Sequence, residues 1–201
     1  MMNYNGPKVK ISRKLGINLT PKAGKIAGKK PYPPGQHGNT KRRAKQSDYG
    51  KQLLEKQRIR LQYNVSESQM SAYYAKATKL TGNTADLLVQ LLETRLDALV
   101  YRSGFSRSMY AARQYVVHGH VLVNGHRVNV PSYQVRVGDV VSIKEKSRSL
   151  DCFQEAIRNS GSPAYLEVSK AEFSSKLAYI PTREEIPIQC EISLVVEYYS
   201  R

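Results

Sequence analysis

Arg107, Gln114 and His118 fall on one side of a helical pattern at 100° per residue, with Ala111 between them and Arg113 at the flank. A guanidinium, an amide and an imidazole at this spacing can meet phosphate oxygens, 2′-hydroxyls or base edges. Met109, Ala112 and Val116 fall together on the other side and read as core. A hairpin follows directly. Val121-Leu122-Val123, Asn124-Gly125 and His126-Arg127-Val128 form two apolar strands around the strongest short turn signal there is. Gly125 reads as structural, because the turn needs φ > 0. A polar helix face ending beside an exposed turn can grip folded nucleic acid without any catalytic group.

Catalytic and metal chemistry find little support. Gly24 to Lys30 reads GKIAGKK, which fails the phosphate-loop spacing, so Lys29 and Lys30 read as phosphate-seeking charges. Arg95-Leu96-Asp97 matches the triplet around the catalytic aspartate of pseudouridine synthases, yet it lies in a leucine-striped helix pattern. Asp97 reads instead as the partner of a nearby cation. His118 and His120 have no zinc spacing, and His37 and His126 sit in turns. Cys152 and Cys190 are isolated, which points to a reducing compartment without disulfides. No metal and no cofactor are expected.

The elements that must position these residues come with an uneven charge. The 201-residue chain carries a net charge of +16; residues 1–60 hold 16 Lys/Arg against Asp48 and Glu55, and residues 61–201 hold 16 against 14 acids. The excess is therefore in the first third, the footprint of a polyanion binder. An anionic membrane fits less well, since residues 1–46 show no amphipathic helix with a clear apolar face. No apolar run has membrane-spanning length and no secretory h-region is seen, so a soluble chain without a membrane partner is expected.

Three segments are expected in an α+β fold. Residues 1–46, rich in Lys, Gly and Pro, read as an irregular basic arm with a fixed turn at PPGQHG (33–38). Residues 47–92 read as a helical domain rejoined by residues 177–201. It holds a helix over 48–63 and a second opened by a Ser66–Gln69 capping box, with Val65 and Met70 as staple, and stopped at Gly82. One further helix, with Leu87, Leu88, Leu91, Leu92, Leu96, Leu99 and Val100, should run unbroken to Gly104. Residues 93–176, core 93–155, read as an inserted module with antiparallel strands. Ser106 should cap its polar-faced helix, Gly138-Asp139 should turn into a strand over 140–143, and a helix near 150–157 and a strand near 165–168 should follow. Ile188, Cys190, Ile192, Leu194, Val196 and Tyr198 alternate and read as a half-buried strand.

These residues together resemble the S-four family of small-subunit ribosomal proteins, bacterial or organellar. The match runs through Gly6-Pro7-Lys8, PPGQHG, Ser47-Asp48-Tyr49-Gly50 and Leu54-Glu55-Lys56-Gln57. It continues through Arg95-Leu96-Asp97, Ala111-Ala112-Arg113-Gln114, Val123-Asn124-Gly125, Pro131-Ser132-Tyr133-Gln134-Val135 and Tyr198-Tyr199-Ser200. Each motif is weak alone; their order over the whole chain is specific. The resemblance implies a structural protein that binds small-subunit ribosomal RNA early in assembly and contributes to translational accuracy. It implies a cytoplasmic place in the small subunit, or an organelle stroma or matrix if organelle-encoded. It implies the S-five protein and the inward path of messenger RNA as neighbours, and no homo-oligomer. Many relatives hold a zinc-bound cysteine cluster in the arm. With no cysteine before Cys152, this chain resembles the zinc-free branch.

On this reading the RNA-facing set in the first half is Lys8, Lys10, Arg13, Lys14, Gln36, His37, Lys41, Arg42, Arg43, Lys45, Tyr49, Lys56 and Arg58. In the module it is Arg95, Ser106, Arg107, Arg113, Gln114, His118, Asn124, Gly125, Arg127 and Ser132. A salt bridge from Arg113 to Asp97 or Glu93 is the competing role. Two other uses of the same module remain open: an RNA-modifying enzyme of the pseudouridine synthase kind, and a free translation factor.

Overall fold

The computed structural model describes residues 4, 6–39, 46–158 and 161–201. Helices are α1 (Lys8–Leu15), α2 (Pro21–Lys29), α3 (Asp48–Gln62), α4 (Glu67–Ala77), α5 (Thr84–Glu93), α6 (Leu96–Arg102), α7 (Met109–Val117), α8 (Asp151–Arg158) and α9 (Ile192–Tyr199). Strands are β1 (Val121–Val123), β2 (His126–Arg127), β3 (Val140–Ile143), β4 (Leu166–Ser169) and β5 (Ser174–Leu177), with a 3-10 turn at Glu145–Ser147. The class is α+β, as expected. The chain forms two compact units, Met1–Ala85 with Ile188–Arg201, and Asp86–Pro187.

The first unit corrects two expectations. The arm is not irregular, because α1 and α2 form in it. Thr20 caps α2 by accepting from Ala23 N, and Pro21 occupies the first turn, where its missing N–H costs nothing. The proline read as a breaker is a helix starter. Gly16, at φ +70°, closes α1 in the left-handed region. Leu15, Ile17, Leu19 and Ala23 are buried, so the apolar side of the arm faces protein. Ser12 Oγ donates to Lys8 O and accepts from Leu19 N, tying the α1–α2 link.

The C-terminal segment is a helix, not a strand. Ile192, Val195 and Tyr199 recur at i, i+3 and i+7, and Ile192 and Val195 are buried. Helix α9 packs against α3 and α4, where its Tyr199 ring stacks on Tyr74 at 5.1 Å. The Ser66–Gln69 capping box forms as expected, though α4 ends at Ala77, short of Gly82. Glu67 accepts from Lys56 Nζ at 2.9 Å and from Tyr199 Oη at 2.8 Å, linking α3, α4 and α9.

Burial pushes the Glu67 carboxyl up, but the hydrogen bonds from Lys56 and Tyr199 and the charges of Lys56 and Arg60 outweigh it. The net position is below the ordinary glutamate range. A depressed carboxylate adds stability that is present above its unfolded value and lost as pH falls through the folded one. Glu67→Gln is therefore expected to lower the Tm at pH 7 and to converge on the parent below about pH 4. Thermal melts across that range measure it, and a constant offset would contradict it.

The second unit holds an antiparallel sheet in the order β2-β1-β3-β5-β4. Its core joins Leu96, Leu99, Phe105, Ala112, Val116, Val121, Val141, Ile143, Phe153, Tyr165 and Leu177. The leucine-striped pattern is two helices rather than one. At the break, Arg95 is extended, and Leu96 N and Asp97 N, at the start of α6, donate to Tyr133 O and Pro131 O. Thr94 Oγ1 donates to Gln134 Oε1, and Gln134 Nε2 donates to Leu91 O. A loop thus replaces the helix's own carbonyls, which periodicity alone cannot reveal. The helix over 151–158 and the strand at 166–169 agree with expectation. The short polar strand β5 was not legible; Ser103 Oγ donates to its buried Ser175 Oγ at 2.7 Å.

Candidate nucleic-acid interface

In the second unit, α7 buries Met109, Ala112 and Val116 and exposes Arg107, Gln114 and His118 near and along the other side, as its spacing predicts. Its cap is Ser108, which accepts from Ala111 N at 3.2 Å. Ser106 is a correction: it is buried and donates to Ser108 O, so it supports the cap rather than facing RNA. Arg107 pairs with Glu155 at 2.6 Å, with both side chains about half exposed (53% and 52%). A pair this wet contributes little and yields readily to a phosphate.

The hairpin forms with Asn124 at φ +50° and Gly125 at φ +81°, the double left-handed turn that Asn-Gly favours. Gly125 and Arg127 are exposed, and Ser132 is half-buried. The Asn124 amide is already engaged. It donates to Asp139 Oδ1 at 2.8 Å and accepts from Val140 N at 2.9 Å, clamping the hairpin turn to the Gly138-Asp139 turn. The amide thus positions the turn, while Asn124 itself stays exposed.

Two further module residues are corrected. Arg95 is fully buried; its Nε and Nη2 donate to Asp97 Oδ1 and Oδ2 at 2.9 and 2.6 Å. Arg113 is also buried, with Nη1 at 3.7 Å from Asp97 Oδ2. Asp97 needs both because an unpaired buried carboxylate is very costly. The competing salt-bridge role of Arg113 is the one the structure shows. Asp97 has no exposure, so a substrate cannot reach it in this fold.

In the first unit, Arg13 Nε and Nη2 donate to Tyr32 O at 3.1 and 2.9 Å, and its guanidinium lies 5.0 Å from the Tyr32 ring centre. Arg13 therefore fastens the PPGQHG turn to α1. Gly38 N donates to Gly35 O, and a Cβ on Gly38 would collide with Pro33 O, so the turn requires glycine there. Arg58 Nε donates to Leu15 O at 2.9 Å. A groove of about 760 Å³ runs along Arg13, Lys14, Gln36, His37 and Arg58, walled by Pro33, Pro34 and Leu54. Lys10, Lys14, Gln36, His37 and Tyr49 are exposed, and Lys8 is half-buried. Lys56 is a correction: its side chain is 5% exposed, held by Glu67 and by the Tyr198 ring at 4.7 Å. Lys41, Arg42, Arg43 and Lys45 lie outside the described residues.

Comparison with known proteins decides the family. A family profile described as "Ribosomal protein S4/S9 N-terminal domain" matches residues 3–93, and one described as "S4 domain" matches residues 94–141. The small ribosomal subunit protein uS4 of Streptomyces griseus is 51% identical over 207 residues, covering 100% of both chains. The uS4 proteins of Geobacillus sp. strain WCH70 and Bifidobacterium animalis subsp. lactis are each 47% identical, again over 100% of both chains. The chain belongs to the uS4 family.

Within this uS4 fold, some cations escaped the sequence reading, which took Lys29 and Lys30 but not Lys22 and Lys25 as phosphate-seeking charges. Lys22, Lys25 and Lys29 are exposed at i, i+3 and i+7 of α2, next to Lys30. Thr20-Pro21 was the signal that could have revealed that stripe, since it marks a helix start. Lys144 and His120 were also missed. Strand pairing brings Arg127 and Lys144 to His120, which lies two residues from His118. Among the described residues no cluster of His, Cys, Asp and Glu could hold a metal ion, and no helix is long and apolar enough to cross a membrane.

Proposed function

We propose that the chain is a structural constituent of the small ribosomal subunit that binds its ribosomal RNA and catalyses nothing. The observation that carries this is a full-length uS4 match on a chain with exposed cations along α1 and α2 and with Arg107, Gln114 and His118 exposed at and beside α7. Arm cations neutralise phosphates in a salt-dependent, largely sequence-blind way. Arg107, Gln114, His118 and Arg127 then orient the module on folded RNA, which is read through shape, phosphates and 2′-hydroxyls.

From the family resemblance we further infer early binding during assembly, an influence on translational accuracy, and one copy per subunit beside other ribosomal proteins. The S-five protein and the inward path of messenger RNA are proposed as its surroundings. The relatives above are bacterial, which favours the cytoplasmic subunit. An organelle stroma or matrix applies only to an organelle-encoded chain. The pseudouridine synthase reading is disfavoured by the sealed Arg95–Asp97–Arg113 cluster.

Replacing Arg107 and Gln114 together by alanine tests the orienting role. The variant should lose discrimination between folded small-subunit RNA and random RNA by about tenfold or more, at about 1–3 kcal/mol per lost specific contact. Filter binding to both RNAs reads it. Equal weakening of both would reassign the helix face to plain phosphate binding.

A further inference from the structure

Gly119 ends α7 at φ +73°, and its N–H donates to Val116 O at 2.9 Å. A Cβ there would overlap the Arg127 guanidinium, so Arg127, brought in by its pairing with Leu122, lies directly against this backbone. His118 and His120 flank the same glycine with ring centres 6.2 Å apart. Lys144 joins them, since its N–H donates to His120 O at 2.8 Å. Ser147 Oγ engages His120 Nδ1 at 2.9 Å, and the ring is braced edge-on by Tyr115 and Phe153. That leaves Nε2 to meet a ligand.

We propose that His118, His120, Arg127 and Lys144 form a site for one backbone phosphate of bound RNA, and that filling it takes up a proton on His120. The proposal rests on the RNA-binding reading above and adds a defined, pH-linked contact to it. Four cationic or titratable groups around one glycine repel one another in the free protein, and a phosphate reverses the sign of that interaction. A divalent metal on the two imidazoles would face Arg127 and Lys144 as like charges, so the chemistry selects an anion.

The neighbours of His120 fit this. Helix α7 presents His118 and Tyr115, β2 presents Arg127 and the segment after β3 presents Lys144; Ser147 and Phe153 carry no charge. Tyr115 stays neutral, its phenol pushed up to about 12 by burial and by Cys152. Burial, then His118, Lys144 and Arg127, hold the free His120 imidazole below the ordinary histidine range. A bound phosphate raises it. Linkage is reciprocal, so RNA must bind more tightly as pH falls from above the bound value to below the free one.

The full chain is titrated with bacterial small-subunit ribosomal RNA at constant ionic strength from pH 7.5 to 5.5. Affinity is expected to rise by about tenfold, which corresponds to an average uptake of about half a proton per complex over these two pH units. The His118→Gln/His120→Gln variant should bind with a flat profile, and Lys144→Gln should reduce the salt slope by about 0.7–0.9. Histidine resonances of the parent chain should shift to higher pKa when RNA is added, a readout that needs no variant to fold. RNA binding with a flat parental profile overturns the site alone, as does an undiminished profile in the double variant. Absence of RNA binding at every pH overturns the proposed function and the site with it.

Discussion

Asp97→Ala is expected to destabilise the second unit by about 3–5 kcal/mol, the cost of leaving a buried charge without its partner. Asp97 is fully buried, and the bidentate Arg95 contact and the Arg113 charge both depend on it. Burial pushes its carboxyl above the ordinary range, against Arg95, Arg113 and the Ala98 N–H pulling it down. Removing it takes a carboxylate partner from two buried guanidiniums. Replacing all three residues with apolar side chains of similar volume should restore most of the loss, because a complete buried ion cluster is close to energetically neutral against good packing. Urea denaturation measures both variants. A loss under about 1 kcal/mol for Asp97→Ala would contradict the cluster's role. The same experiment separates scaffold from catalysis, since a catalytic aspartate can be removed without unfolding the protein.

The second large effect concerns the arm. Exchanging Lys10, Lys14, Lys22, Lys25, Lys29 and Lys30 for glutamine is expected to flatten the log K versus log[salt] slope by up to about 4, at about 0.7 per phosphate contact. Affinity for small-subunit RNA near 0.1 M salt should fall by about 10²-fold or more. All six side chains belong to exposed residues, so far-UV circular dichroism should stay unchanged. Deleting residues 1–46 would be a poorer test, because Leu15, Ile17, Leu19 and Ala23 are buried and their loss opens a core. An unchanged slope in the substituted chain would remove the arm from the electrostatics of binding.

What the sequence could show follows from how local each signal is. The Ser66–Gln69 box, the Asn124-Gly125 hairpin and the burial split of α7 need only a few neighbouring residues, and all three are present. The failures were of two kinds. Some patterns served two structures: residues 188–198 alternate like a strand, yet Ile192, Val195 and Tyr199 also fit a helix, and packing on α3 favours the helix. Other features needed distant partners. The break at Thr94-Arg95 depends on the loop at 131–135, and the burial of Lys56 depends on Glu67 and Tyr198. A basic side chain in an RNA-binding family reads as RNA-facing until such an internal acid is found. Arg95, Arg113 and Lys56 each have one, whereas Lys22, Lys25 and Lys144 went unread for lack of a helix boundary and a strand register.

The central claim is permanent residence in the small ribosomal subunit through direct RNA contact. Its most direct test is sedimentation of the tagged chain from cells, with small subunits washed in high salt. About one copy per small subunit is expected after the wash, in line with the large buried contacts of a structural component. Release into the supernatant as a free protein, with subunits left intact, would contradict it and favour a dissociable translation factor.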